Sequence, residues 1–115
     1  MVNQQKRVTA IFAALADPTR RRIVERLSEH GESRVTALAK PFRISLPAIS
    51  RHLRVLEDAR LIKRQRHGRE HLISSHAAGL KEAQKWMAQY VAGWESGFDA
   101  LDELLKNELQ KEKKR

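Results

Sequence analysis

Along most of the chain apolar residues recur three and four positions apart, the spacing that lays a single greasy stripe along a helix. Val8, Ile11, Phe12 and Leu15 make the first stripe and predict a helix over residues 4–16. Asp17 followed by Pro18 is a start signal, because an Asp side chain accepts from free backbone N–H groups and proline loses nothing in a first turn. The second helix so begun turns Ile23, Val24 and Leu27 inward and stops at Gly31. Ser33 is placed to cap a short third helix holding Val35, Leu38 and Ala39, which Pro41 ends. Ser45 offers the next cap, Pro47 is harmless in the turn that follows, and Ile49, Leu53 and Leu56 mark the buried face of a fourth helix reaching about Ala59.

From Leu61 the period changes. "LIKRQR" and "EHLIS" read as two short strands around a glycine-containing turn, a hairpin over about 62–74. A long last helix follows from about Ala77, with Leu80, Ala83, Met87, Tyr90, Trp94, Phe98, Leu101 and Leu105 spaced three or four apart. The closing "KEKKR" reads as a solvated basic tail over 111–115, leaving one domain over 1–110. The expected fold class is therefore mainly α, a winged helix-turn-helix of about five helices with a two-stranded β-hairpin wing.

Composition narrows what such a fold is for. Twenty-three Lys and Arg face fourteen Asp and Glu, a net charge of +9 that suits a polyanion, either nucleic acid or an anionic membrane. No apolar run is long enough to span a bilayer, no secretory leader is visible, and the absence of cysteine excludes disulfides and thiolate metal sites. A cytoplasmic protein without a membrane partner is expected.

The charge is also concentrated. Between Arg43 and Arg69 eight basic residues stand against Glu57 and Asp58. With Ile49, Leu53 and Leu56 turned inward, the opposite edge of the fourth helix presents Leu46, Pro47, Ala48, Ser50, Arg51 and Arg54. Small residues let a helix backbone approach base edges, Ser50 can donate or accept, and the planar fork of Arg51 fits guanine or phosphate. Arg64, Arg66, His67 and Arg69 sit on the hairpin, where a wing meets backbone or minor groove, and Ser33 and Thr36 can place donors on a phosphate. The candidate partner is double-stranded DNA, read by a recognition helix over about 46–59 and a basic wing.

These residues carry a resemblance. "LADPTRRRIVERL", "SLPAISRHLRVLEDARLIKRQRHGREHLI" and "WMAQYVAGW" are similar to ArsR-type transcriptional repressors, in the branch of small autorepressors without metal thiols, over about Ala13 to Leu105. The resemblance implies a homodimer on an inverted-repeat operator, repression rather than activation, and base contacts from Ser45, Leu46, Pro47, Ala48, Ser50 and Arg51. One position departs: Arg60 stands where such proteins usually carry the glycine that closes the recognition helix in a left-handed conformation.

Other chemistry finds little purchase. His30, His52, His67, His71 and His76 do not share a helical face, so no metal site is expected and no cofactor is implied. Ser, His and carboxylate residues are scattered without a phosphate loop or paired acids, so no enzyme is expected; a basic nuclease and a helical adaptor are the rival classes. The last helix is too long for so small a domain to cover. Val8, Ile11, Phe12 and Leu15 of the first helix, with Met87, Tyr90, Trp94, Phe98 and Leu101 of the last, form the expected dimer face.

Overall fold

The computed structural model describes residues 3–113; Met1, Val2, Lys114 and Arg115 lie outside the described residues, the last two being part of the expected tail. The elements run α1 (Gln4–Leu15), α2 (Pro18–His30), β1 (Ser33–Arg34), α3 (Val35–Ala39), a single 3-10 turn (Lys40–Phe42), α4 (Leu46–Asp58), β2 (Ile62–His67), β3 (Glu70–Ser75) and α5 (Ala77–Lys113). They fall into two compact units, one ending at Ala83 and one beginning at Gln84.

In the first unit the caps set the helices. Asn3 accepts the Lys6 N–H, Asp17 the Arg20 N–H and Ser45 the Ala48 N–H, each satisfying one of the donors a helix start leaves open. The far end of α1 is closed by side chains of α2: Arg20 donates to the carbonyls of Ala13 and Ala14, and Arg21 to that of Leu15. Two arginines of the "TRRRI" run thus serve the helix junction. Between the helices lies one core in which Ile23, Ile49, Leu53, Leu56 and Ile73 are completely buried, joined by Leu27, Leu38, Leu61 and Ile62.

Several expectations are corrected. Ser33 does not cap α3; it lies in β1, its hydroxyl donates to the Gly31 carbonyl, and the residue before α3 is Arg34, which makes no side-chain cap. The hairpin is accordingly part of a three-stranded antiparallel sheet in the order β1-β3-β2, with Ser33 opposite Ile73 and Arg34 opposite Leu72. Pro41 does not simply stop α3 but sits inside the 3-10 turn, whose end at Arg43 takes a left-handed φ of 52° before Ser45 starts α4. In α1, Val8 and Ile11 are buried, Ile11 within the core, so neither belongs to an open face; the stripe that was expected to dimerise is partly consumed by the fold, and Phe12 and half-buried Leu15 remain.

The end of α4 closes as a Schellman motif. The Arg60 N–H donates to the Glu57 carbonyl and the Leu61 N–H to that of Leu56, both at 3.0 Å, while Leu56 and Leu61 join the core. Arg60 occupies the left-handed position at φ 60°, so the cap stays in place and an L-residue takes the conformation that glycine favours. The Arg60 carbonyl then accepts the Gly79 N–H at 2.8 Å, and a Cβ at Gly79 would meet the Ala59 oxygen at 2.5 Å, so α5 starts flush against this corner only because residue 79 has no side chain.

The second unit is the distal part of α5. Its helix continues through Lys113, further than the basic tail suggested, because after Gly97 the sequence is almost wholly Ala, Leu, Glu, Lys, Gln, Asp and Asn with no proline, and Asp102/Lys106 and Glu108/Lys111 have helix-pairing spacing. Along it Tyr90, Val91, Trp94, Phe98, Leu101, Leu104, Leu105 and Leu109 are all exposed, Trp94 by 67%. Among the described residues no helix is long and apolar enough to cross a membrane.

Candidate nucleic-acid interface

Complete burial of Ile49, Leu53 and Leu56 fixes the rotation of α4. The edge left outside carries Leu46, Pro47, Ser50, Arg51 and Arg54, all exposed, with Ala48 half-buried. Ser45 is exposed too, but its hydroxyl accepts the Ala48 N–H at 3.3 Å and is committed to the cap. The Ser45 cap and Pro47 in the first turn leave the N-terminus of α4 facing outward, a place where a helix favours negative charge.

Beside this edge stands the hairpin. β2 and β3 pair from Ile62 opposite Ser75 to His67 opposite Glu70, leaving Gly68 and Arg69 as a two-residue loop. Gly68 has φ +64°, the arrangement that takes glycine in the first loop position. Arg66, His67 and Arg69 are exposed at this tip, and Arg66 Nε folds back on the Gly68 carbonyl at 3.1 Å.

Between hairpin and helices opens a cleft of about 410 Å³, lined by Arg34, Val35, Thr36, Ser50, Arg64, Arg69, Glu70 and His71. Four of the residues singled out from sequence, Thr36, Ser50, Arg64 and Arg69, meet there although they come from three elements and the loop between β2 and β3. Ser33, half-buried in β1, does not line it. Arg34 and His71 were missed. His71 stands in the strand read from "EHLIS", whose alternation does not say what the ring faces; Arg34 reaches the cleft through the pairing of β1 with β3, which a two-residue strand does not announce. Three arginines, one histidine and two hydroxyls against a single carboxylate make the cleft suited to an anion.

His52, one position off the buried stripe, is half-buried, with Nδ1 3.9 Å from Asp17 Oδ2. Asp17 is held below the ordinary carboxylate value chiefly by the Arg20 N–H it accepts, with the nearby charges of Arg20 and His52 acting the same way against partial desolvation. The contact ties the start of α2 to the middle of α4. Among the described residues no three His, Cys, Asp or Glu side chains gather into a metal site.

The geometry agrees with what comparison with known proteins finds. A model described as a helix-turn-helix domain matches residues 15–65. The transcriptional repressor SdpR of Bacillus subtilis is 35% identical over 81 residues, covering 70% of this chain and 89% of that protein. The crystal structure of an ArsR family transcriptional regulator, RHA00566, superposes with a TM-score of 0.76 at 36% identity, over 84% of this chain and 98% of that one. A solution structure from Mycobacterium bovis, described as a homodimeric winged helix-turn-helix DNA-binding domain, has a TM-score of 0.60 at 28% identity, over 77% of this chain and 81% of that one. With its α3–α4 pair, the hairpin beside it and relatives matched over most of their length, this chain belongs to the ArsR family of winged helix-turn-helix transcriptional regulators.

Proposed function

We propose that this chain is a cytoplasmic repressor that binds an inverted-repeat DNA operator as a homodimer, with α4 in the major groove and the β2–β3 wing on the flanking backbone. The observation that carries the reading is the split of α4: its apolar face is wholly inside, and its other edge offers Leu46, Pro47, Ser50, Arg51 and Arg54. Ser50 and Arg51 read base edges, Leu46 and Ala48 touch thymine methyls, and Thr36, Arg54, Arg64, Arg66, His67 and Arg69 hold phosphates. Ser33 and Ser45 contribute backbone position more than hydroxyls, since both hydroxyls are engaged within the chain.

Self-association rests on the exposed stripe of α5, Met87, Tyr90, Trp94, Phe98 and Leu101, with Phe12 and Leu15 of α1 as further candidates. A row of large apolar side chains so open to water is a liability for a monomer and a seam for a second copy. The homodimeric state described for the M. bovis neighbour supports this. Two-fold pairing sets the recognition helices about 34–36 Å apart, one turn of B-DNA. Repression follows the description of the B. subtilis relative, and needs only that the bound dimer occlude a promoter.

Selection of bound fragments from random duplexes tests the whole reading, and a recovered palindrome gives the site. On that site Arg51→Ala should cost about 1–3 kcal/mol and relax the preference at one base pair, whereas Arg66→Ala should weaken all duplexes alike and flatten the salt slope by about one. A protein that selects no sequence even at low ionic strength overturns it.

A further inference from the structure

Two carboxylates stand against two of the cations around the cleft. Arg34 Nη1 lies 3.3 Å from Glu70 Oε1, and Arg64 Nε lies 3.6 Å from Glu57 Oε2. Both arginines line the cleft, and Glu70 lines it with them. The pairs join different elements, β1 to the start of β3 and α4 to β2, yet neither is needed to hold those elements together. Backbone pairing already fixes Arg34 opposite Leu72, and α4 is held to β2 by the core that Leu53 and Leu56 share with Leu61 and Ile62. Three of the four side chains are more than a third exposed, so water competes for the contacts and the pairs add little to folding.

What they do affect is the approach of another anion. In the free protein each carboxylate satisfies part of the charge that a phosphate would otherwise meet, and each repels that phosphate. We propose that Glu57 and Glu70 are built-in counter-ions that DNA phosphates must displace from Arg64 and Arg34, holding down the protein's affinity for duplexes of any sequence. Phosphate neutralisation supplies nearly all of the affinity for DNA at large, so weakening it at the cleft leaves base contacts along the α4 edge a larger share of the total. The inference rests on the reading of this face as the DNA surface.

The test uses the purified full chain and a labelled duplex of arbitrary sequence at low ionic strength, followed by fluorescence anisotropy. Glu57→Gln and Glu70→Gln should each tighten binding roughly two- to five-fold, the size expected for release of a part-exposed pair. The cycle isolates the cause: in an Arg64→Gln background the gain from Glu57→Gln should fall by at least half on a logarithmic scale, and likewise that from Glu70→Gln in Arg34→Gln. No gain from either single variant overturns the proposal, as does a gain that persists undiminished once its arginine is gone, since bulk charge rather than the pair would then be responsible. A wild-type chain that leaves the duplex unbound instead overturns the DNA reading itself. Because all four positions are part-exposed and outside the core, their variants remain folded and the binding readout stays interpretable.

Discussion

Helix α4 and the distal part of α5 are both amphipathic, and their apolar faces end in opposite states. In α4 the stripe of Ile49, Leu53 and Leu56 is entirely sealed by the same chain, while in α5 Tyr90, Trp94, Phe98 and Leu101 are each at least half exposed. Trp94 and Phe98 stack with ring centroids 5.5 Å apart, beside a shallow groove of about 470 Å³ floored by Gly93 and Gly97. A periodic stripe therefore specifies a face and leaves open what covers it. For α4 the cover is the body of the domain; for α5 it is assigned above to a second copy.

That contrast can be broken by two truncations of similar chemistry. Leu53→Ala removes completely buried methyl groups and should cost 2–5 kcal/mol, a large part of the roughly 5–15 kcal/mol that holds a domain together, read as a lower urea midpoint at every protein concentration. Phe98→Ala should leave a diluted sample almost unchanged. Its effect is expected on association, as about a thirty-fold weaker dimer by sedimentation if the ring is an interface anchor worth about 2 kcal/mol. Equal, concentration-independent losses in both variants would erase the distinction between the two faces.

The same contrast explains what was legible beforehand. Helices α2 and α4 were readable because capping side chains, proline in the first turn and a 3.6-residue period all agree at Asp17–Pro18 and at Ser45–Pro47. The hairpin was readable from its glycine turn. Strand β1 was not, since two residues cannot show a period, and with it went Arg34 as a member of the cleft. Ile11 was assigned to a partner-facing stripe although its own core takes it, because spacing cannot tell an internal neighbour from an external one. Charge and position single out Arg51 and Arg69, which the structure leaves exposed; Glu57 and Glu70 are visible as charges but not as partners, because Arg64 and Arg34 meet them only through tertiary and sheet pairing.

A smaller effect concerns how α2 is anchored to α4. Asp17 caps α2 and faces His52, and its carboxyl is held below the ordinary 3.8, so its contribution exists while it is ionised. Asp17→Ala should cost about 0.5–2 kcal/mol near neutral pH. The sign follows from linkage: a carboxylate depressed in the folded state stabilises fully above its unfolded value and loses that contribution as pH falls through the lower folded one. The gap between wild type and variant should thus be constant down to about pH 5 and close below pH 4. Urea midpoints across that range check it, and a gap that stays open in acid would assign the loss to packing.

The smallest change tests the corner where α4 hands over to the wing. Arg60 holds φ 60° in the Schellman position, a conformation that costs an L-residue about 1–2 kcal/mol and glycine almost nothing. Glycine in turn gives the unfolded chain more freedom, offsetting about 0.4–1 kcal/mol. The corner itself does not loosen with the substitution: the residue 60 carbonyl accepts the Gly79 N–H, and the Leu61 N–H reaches back to Leu56, through backbone alone. Arg60→Gly should therefore raise stability by about 0.5–1 kcal/mol, seen as a higher urea midpoint with an unchanged slope. Arg60 is exposed and stands at a hollow of about 240 Å³ that it lines with Lys6, Arg7, Asp58 and Glu82, so little close packing is lost with it. A lower midpoint would show that the arginine side chain contributes more at this corner than its strained backbone costs.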